Sequence, residues 1–141
     1  MISQKQIIES YNKTNHFGRE MGMTFEIIEP GKVIIKMPIK PLHLATLKVA
    51  HGGVIAGMMD AALGVAALSL SSTKGKIVST VDLHMNFLVP VKLDDILTAN
   101  GEVIKAGNRI FFAEAIIENQ DGEIVSKGSG TFNAYPVEKI M

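Results

Sequence analysis

His51, Gly52 and Gly53 stand together at the head of an apolar run, and a single carboxylate, Asp60, sits inside that run. Two residues without side chains at a helix start leave backbone N–H groups unpaired at the positive end of the helix dipole. Such a terminus can hold a negative oxygen, and a substrate can approach the bare backbone closely. A carboxylate on the same rod can attack a carbonyl or activate water. The bland reading of Asp60 is a structural carboxylate, hydrogen-bonded or paired with a base such as Arg109, because unpaired burial is expensive.

The element that positions these residues runs from Val54 to Leu70, interrupted only by Gly57, Asp60, Gly64 and Ser69. It is hydrophobic on nearly every side, which predicts a helix over about 52–72 buried on all faces. A membrane span needs ~20 predominantly apolar residues, and a central Asp costs roughly 2.5–3.5 kcal/mol on insertion scales. With strand-like segments following, a buried core helix is the reading.

Around it, Ile7, Ile8 and Tyr11 predict a short amphipathic helix over 3–13. Phe17 to Gly22 reads as a loop or single turn. Met23–Ile28 and Lys32–Met37 read as strands joined by Glu29-Pro30-Gly31. After Lys76 the period becomes two. Ile77, Val81, Leu83, Met85, Phe87 and Val89 take one face, and Lys76, Thr80, Asp82, His84 and Asn86 take a wet one. Leu97, Ala99, Gly101 and Val103 line the next strand, and Phe111, Ala113, Ala115 and Ile117 the one after. Asp121-Gly122 marks a hairpin. The last strand puts Ile124, Ser126, Gly128, Gly130, Phe132 and Ala134 on one face, so something bulky lies against its small residues. The expectation is an α+β chain of about six antiparallel strands covering one long helix. One sheet cannot cover every side of that helix, which predicts at least a dimer.

At 141 residues, 1–141 reads as a single domain. Net charge is zero with acids and bases interspersed, so no nucleic-acid footprint is visible. Cysteine is absent, which excludes disulfide staples and thiolate chemistry. The first residues lack an apolar signal region, and a soluble cytoplasmic protein with no membrane partner is expected.

His51-Gly52-Gly53-Val54 with Asp60 resembles the hotdog-fold acyl-CoA thioesterases. So do Phe17-Gly18-Arg19-Glu20-Met21-Gly22, Val81 to Phe87 with Val89-Pro90, and Gly107-Asn108-Arg109 before Phe111-Phe112. The nearest subfamily resembles the phenylacetate-pathway thioesterases, and the likeness covers roughly residues 17–134. It implies a hotdog fold, dimers or dimers of dimers, sites at the dimer interface, and hydrolysis of an acyl-CoA substrate without metal or organic cofactor. It also implies roles: Gly52 N–H as oxyanion donor, His51 orienting the site, Asp60 as nucleophile or general base. Thr80 matches the position of an assisting Ser in some relatives. Gly53 is a second backbone contact, and Lys105, Asn108 and Arg109 flank the hairpin used near the nucleotide.

Spacing adds a constraint of its own. Gly52 and Asp60 are eight residues apart, about 12 Å along one helix. One carbonyl cannot touch both, so a working site needs the two ends from different subunits, related by a two-fold.

The family usually carries Asn six residues before the motif His, and this chain has Ala45 there. Thr46 and His43 are neighbours able to substitute, and no spacing favours either. This departure supports an alternative, an acyl-CoA binding or sensing protein without hydrolysis. A hydratase or dehydratase wants a His paired with a separate acid in another loop pattern, which the sequence lacks. Asp82, His84 and Asn86 on alternate strand positions invite a metal, but one His and one Asp are poor support.

Overall fold

The computed structural model describes residues 2–139. Ser3 opens α1 (Gln4–Thr14), its hydroxyl accepting the Gln6 N–H while Gln6 Oε1 accepts the Ser3 N–H. Asn15 then accepts the Gly18 N–H and caps α2 (His16–Glu20), so the expected loop or single turn is a five-residue helix. Strands β1 (Thr24–Glu29) and β2 (Lys32–Pro38) form the expected hairpin. An irregular stretch leads to α3 (Gly52–Ser71), and Gly75, with φ of 69°, turns the chain out of the short 3-10 turn behind it. β3 (Lys76–Phe87), β4 (Ile96–Ala106), β5 (Ile110–Glu118) and β6 (Ile124–Pro136) follow.

All six strands pair antiparallel in one sheet ordered β1-β2-β4-β5-β6-β3. This is the α+β hotdog arrangement, with α3 lying along one face of the sheet. Hairpin-like neighbours hold for β1–β2, β4–β5 and β5–β6. They fail for β3 and β4, because β4 inserts beside β2 and β3 pairs with β6 at the sheet's edge.

The helix sits unusually close to the sheet. A Cβ on Gly101 would stand 2.5 Å from the Ala62 carbonyl oxygen, and one on Gly128 would stand 2.9 Å from Met59 Sδ. Gly101 is required by the approach of α3. At Gly128 a Cβ would also press on the His84 carbonyl oxygen of β3 at 2.8 Å, so the neighbouring strand as well as α3 keeps the small residues of the last strand bare. Met58, Met59 and Leu63 are fully buried in the interface, each stabilising the fold by up to about 1.5–3 kcal/mol. By length and composition alone α3 is able to cross a bilayer, yet here its apolar bulk is packed on the sheet. Its opposite side, with Gly57, Asp60, Ala61 and Gly64, is only partly covered.

Two bulges correct the expected alternation. Thr80 pairs with Phe132 and Asp82 with Thr131, so Val81 is an extra residue in β3. Val81 is therefore 60% exposed rather than inward, and Thr80 leaves the wet face for the helix side. Val125 is likewise an extra residue in β6, buried while Ile124 points outward at 41% exposure.

Candidate active site

His51 is the N-cap of α3, with extended φ −65° and ψ 135°. Its Nδ1 accepts the Gly53 N–H at 2.8 Å, its carbonyl accepts the Val54 N–H at 3.0 Å, and its own N–H donates to the His43 carbonyl at 2.8 Å. Since Nδ1 is an acceptor, the ring proton of neutral His51 is assigned to Nε2, on an exposed side chain. Gly53 thus spends its N–H on the cap and cannot offer it to a ligand without releasing His51. Gly52 differs: its N–H carries no acceptor among the described residues. The helix start presents two donors, Gly52 N–H and His51 Nε2–H, with the dipole behind them. A hollow of about 360 Å³ lies beside Gly52, walled by apolar groups that include Ile55, Phe87 and Val91.

Two turns further along, Asp60 meets the bulge in β3. Thr80 Oγ1 donates to Asp60 Oδ1 at 2.8 Å, a contact that exists because Val81 shifts the strand's phase. Thr80 gives its one proton to the carboxylate, so it positions Asp60 rather than donating to a substrate. Oδ2 has no partner among the described residues. The ion pair with Arg109 does not form, since Arg109 lies exposed on the β4–β5 turn. Asp60 instead borders a cleft of about 490 Å³ shared by α1, α3, β3 and β6. Tyr11 lines the same cleft. Its phenol is held above the usual tyrosine range, first by burial and second by the negative charge of Asp60.

The other candidates fall elsewhere. Asn108 takes two hydrogen bonds from Lys76 Nζ, at 2.7 Å to its carbonyl and 2.8 Å to Oδ1. That fixes the turn holding Asn108 and Arg109 at the start of β3, ~13 Å along the strand from Thr80. Lys105 precedes the turn on β4, and none of the three lines the Asp60 cleft. His43 is buried with both ring nitrogens engaged, Nδ1 by the Lys40 N–H and Nε2 by the Met21 carbonyl. Thr46 Oγ1 accepts the Lys48 and Val49 N–H groups. His43 is therefore not available to stand in for the side chain missing at Ala45, while Thr46 keeps its hydroxyl proton as a donor. Asp82 and His84 face solvent, with Asp82 Oδ1 accepting the Thr131 N–H at 3.0 Å.

A family model described as the thioesterase superfamily matches residues 47–126, which hold both ends of this site. The chain belongs to the thioesterase superfamily. It is a thioester hydrolase by that membership. Human acyl-coenzyme A thioesterase 13 is similar, 26% identical over 132 residues covering 92% of each chain. A hypothetical thioesterase of Streptococcus pneumoniae, solved with coenzyme A, is 28% identical. The match covers 81% of this chain and 89% of that one, with a TM-score of 0.74. The E. coli PaaI protein shares the fold, with a TM-score of 0.85, 20% identity, and coverage of 94% and 93%.

Sequence reasoning missed Tyr11 and the cleft beneath α1. It also misplaced Thr80. The available signal was Val78, an apolar residue out of phase with Val81, Leu83 and Met85. Two apolar phases in one strand are the mark of a bulge.

Proposed function

We propose that the chain hydrolyses acyl-CoA thioesters at two equivalent sites per dimer, each combining Asp60 and Thr80 of one subunit with Gly52 and His51 of the other. The observation that carries this reading is the separation on α3 of an open oxyanion terminus from a positioned carboxylate with one free oxygen. Relatives named as acyl-CoA thioesterases and a neighbour solved with coenzyme A support the substrate class.

The free edge of β3 supports the assembly. It is a strand of 12 residues at the end of the sheet, with Val81, Phe87 and Leu88 more than half exposed. Such an edge is a template for another strand. Thr80 contacts Asp60, while Phe87 lies against Gly52. If β3 pairs antiparallel with its copy about a two-fold near the middle of the strand, the Thr80 end of one subunit lies beside the Phe87 end of the other. That register brings each Asp60 toward the other chain's Gly52 and buries the exposed apolar residues.

At such a site the thioester oxygen accepts from Gly52 N–H and His51 Nε2–H. Asp60 Oδ2 takes a proton from attacking water, or itself attacks the carbonyl carbon. Either route forms an oxyanion on the thioester carbonyl, whose collapse breaks the C–S bond and releases the CoA thiolate, which is then protonated. Attack by water leaves the free acid directly, whereas attack by Asp60 leaves an acyl–Asp60 anhydride that a water then hydrolyses to the acid and the free carboxylate. No metal or organic cofactor takes part in the proposal. Lys105 and Arg109, with Asn108 between them, are proposed as phosphate contacts for the nucleotide. A cytoplasmic setting fits the cysteine-free composition.

Thiol release from acyl-CoAs tests the reading. Asp60→Asn is expected to lower kcat by about 100-fold or more, and a loss under tenfold refutes the role. Ala45, with His43 engaged elsewhere, favours one competing reading, acyl-CoA binding without turnover. Tight binding with no thiol release by the wild type would decide for it.

A further inference from the structure

Resting on the shared-site reading above, we propose that His43 is the positioning residue of the oxyanion end, holding His51 and Gly52 in place by tying them to α2 through the Met21 carbonyl. His43 is 1% exposed and lines neither the Asp60 cleft nor the hollow beside Gly52, so it acts through its neighbours. Its own carbonyl accepts the His51 N–H at 2.8 Å, and an antiparallel bridge between Leu44 and Ala50 closes the loop between them. That bond anchors the cap of α3, because His51 in turn takes the Gly53 N–H on Nδ1.

Two backbone groups select the imidazole. The Lys40 N–H donates to Nδ1 at 2.9 Å, and the Met21 carbonyl lies 2.9 Å from Nε2. A carbonyl only accepts, so the ring is assigned the neutral form with its proton on Nε2. An apolar side chain here would leave both groups unpaired. The first bond is local, closing the 3-10 turn of Pro41–His43. The second joins residues 22 positions apart. Met21 is the C-cap of α2, where a carbonyl has no partner within the helix. At its other end α2 lays the Phe17 ring on α3, where a Cβ on Gly57 would stand 3.0 Å from Phe17 Cζ. The short helix is thus a brace from the middle of α3 to the stretch that enters it. His43 and α2 both precede the matched residues 47–126, so the brace is supplied from outside that segment.

The test divides the two bonds between His43→Asn and His43→Gln. Asparagine Oδ1 stands where ring Nδ1 does and keeps the Lys40 bond; glutamine Nε2 stands where ring Nε2 does and keeps the tie to Met21. His43→Asn should lower kcat by about 10- to 100-fold with KM within about threefold, since donors displaced by up to ~1 Å lose the transition state more than the substrate. His43→Gln should recover most of that rate. Complementation in thiol-release assays then locates the defect. Mixed with Asp60→Asn, whose defect lies in the opposite half-site, His43→Asn should return about one quarter of wild-type activity; mixed with Gly52→Pro it should return none. If the asparagine chain does not fold, Phe17→Ala, at the 55% exposed end of the brace, takes its place with about a tenfold loss and the same choice of partner. Wild-type kcat in the folded variant, an equal loss in His43→Gln, or recovery with Gly52→Pro overturns the proposal. If Gly52→Pro and Asp60→Asn do not complement each other, the shared-site reading fails instead, and the glutamine-to-asparagine ratio of kcat judges His43 alone.

Discussion

Complementation between two inactive variants probes the shared site most directly. Asp60→Asn removes the carboxylate. Gly52→Pro removes only the oxyanion N–H, because Gly52 is the first residue of α3, where that group has no intrahelical partner. The exchange is structurally mild. His51 already has the extended φ −65° and ψ 135° that a residue before proline adopts. A Cβ at position 52 would sit 3.5 Å from Phe87 Cε1, an ordinary contact. Each variant alone should lose about 100-fold or more. In an exchanged equimolar mixture half the dimers are mixed. Each mixed dimer has one site with both defects and one with neither. Activity should therefore recover to about one quarter of wild type. A chain carrying both substitutions should poison the wild type instead, since a mixed dimer then has one defect in each site. Mixing it equally with wild type should leave about one quarter of the activity of the same total amount of wild type, where unshared sites would leave one half. Thiol release with subunit exchange verified by mass spectrometry reads both. If the first mixture stays at the level of its parents and the second keeps one half, one chain holds the whole site. The ~12 Å argument is then wrong.

Two further outcomes follow from the Asp60 end. Thr80→Val deletes the 2.8 Å bond to Asp60 Oδ1 while keeping shape; hydrogen bonds to charged groups are worth ~1.5–3 kcal/mol, so kcat should fall roughly 10- to 100-fold. Thr80→Ser should recover most of that rate with KM little changed, and a valine variant as active as wild type would remove Thr80 from the site. Tyr11, raised by burial and by Asp60, should ionise above the ordinary tyrosine value of about 10 in the folded chain. Its raised value means a stability contribution fully present below pH ~10 and lost as pH rises through the folded value. In a Tyr135→Phe background, tyrosinate absorbance should titrate earlier once Asp60→Asn removes the nearby charge, and an unmoved curve would separate the two groups.

How far the sequence reaches is clearest along α3. Its boundaries, its burial, the capping His51, the bare backbone at Gly52 and the position of Asp60 are all written locally. Helix periodicity and end chemistry depend on residues a few positions apart. The same holds for β1–β2 and β5–β6, whose turns sit between their strands. The rod's rise alone separated Gly52 from Asp60. Three features were decided only by tertiary structure. β4 enters between β2 and β5 because sheet order depends on long-range pairing, which no local pattern encodes. Thr80 reaches Asp60 because a bulge at Val81 adds one residue against β6, and a slip of one reverses every following side chain. Tyr11 joins the site because α1 folds across α3, so a residue in the first turns of the chain comes to line the cleft of Asp60. Local spacing thus named the reacting groups, and packing between distant segments determined what holds Asp60 and what lies beside it.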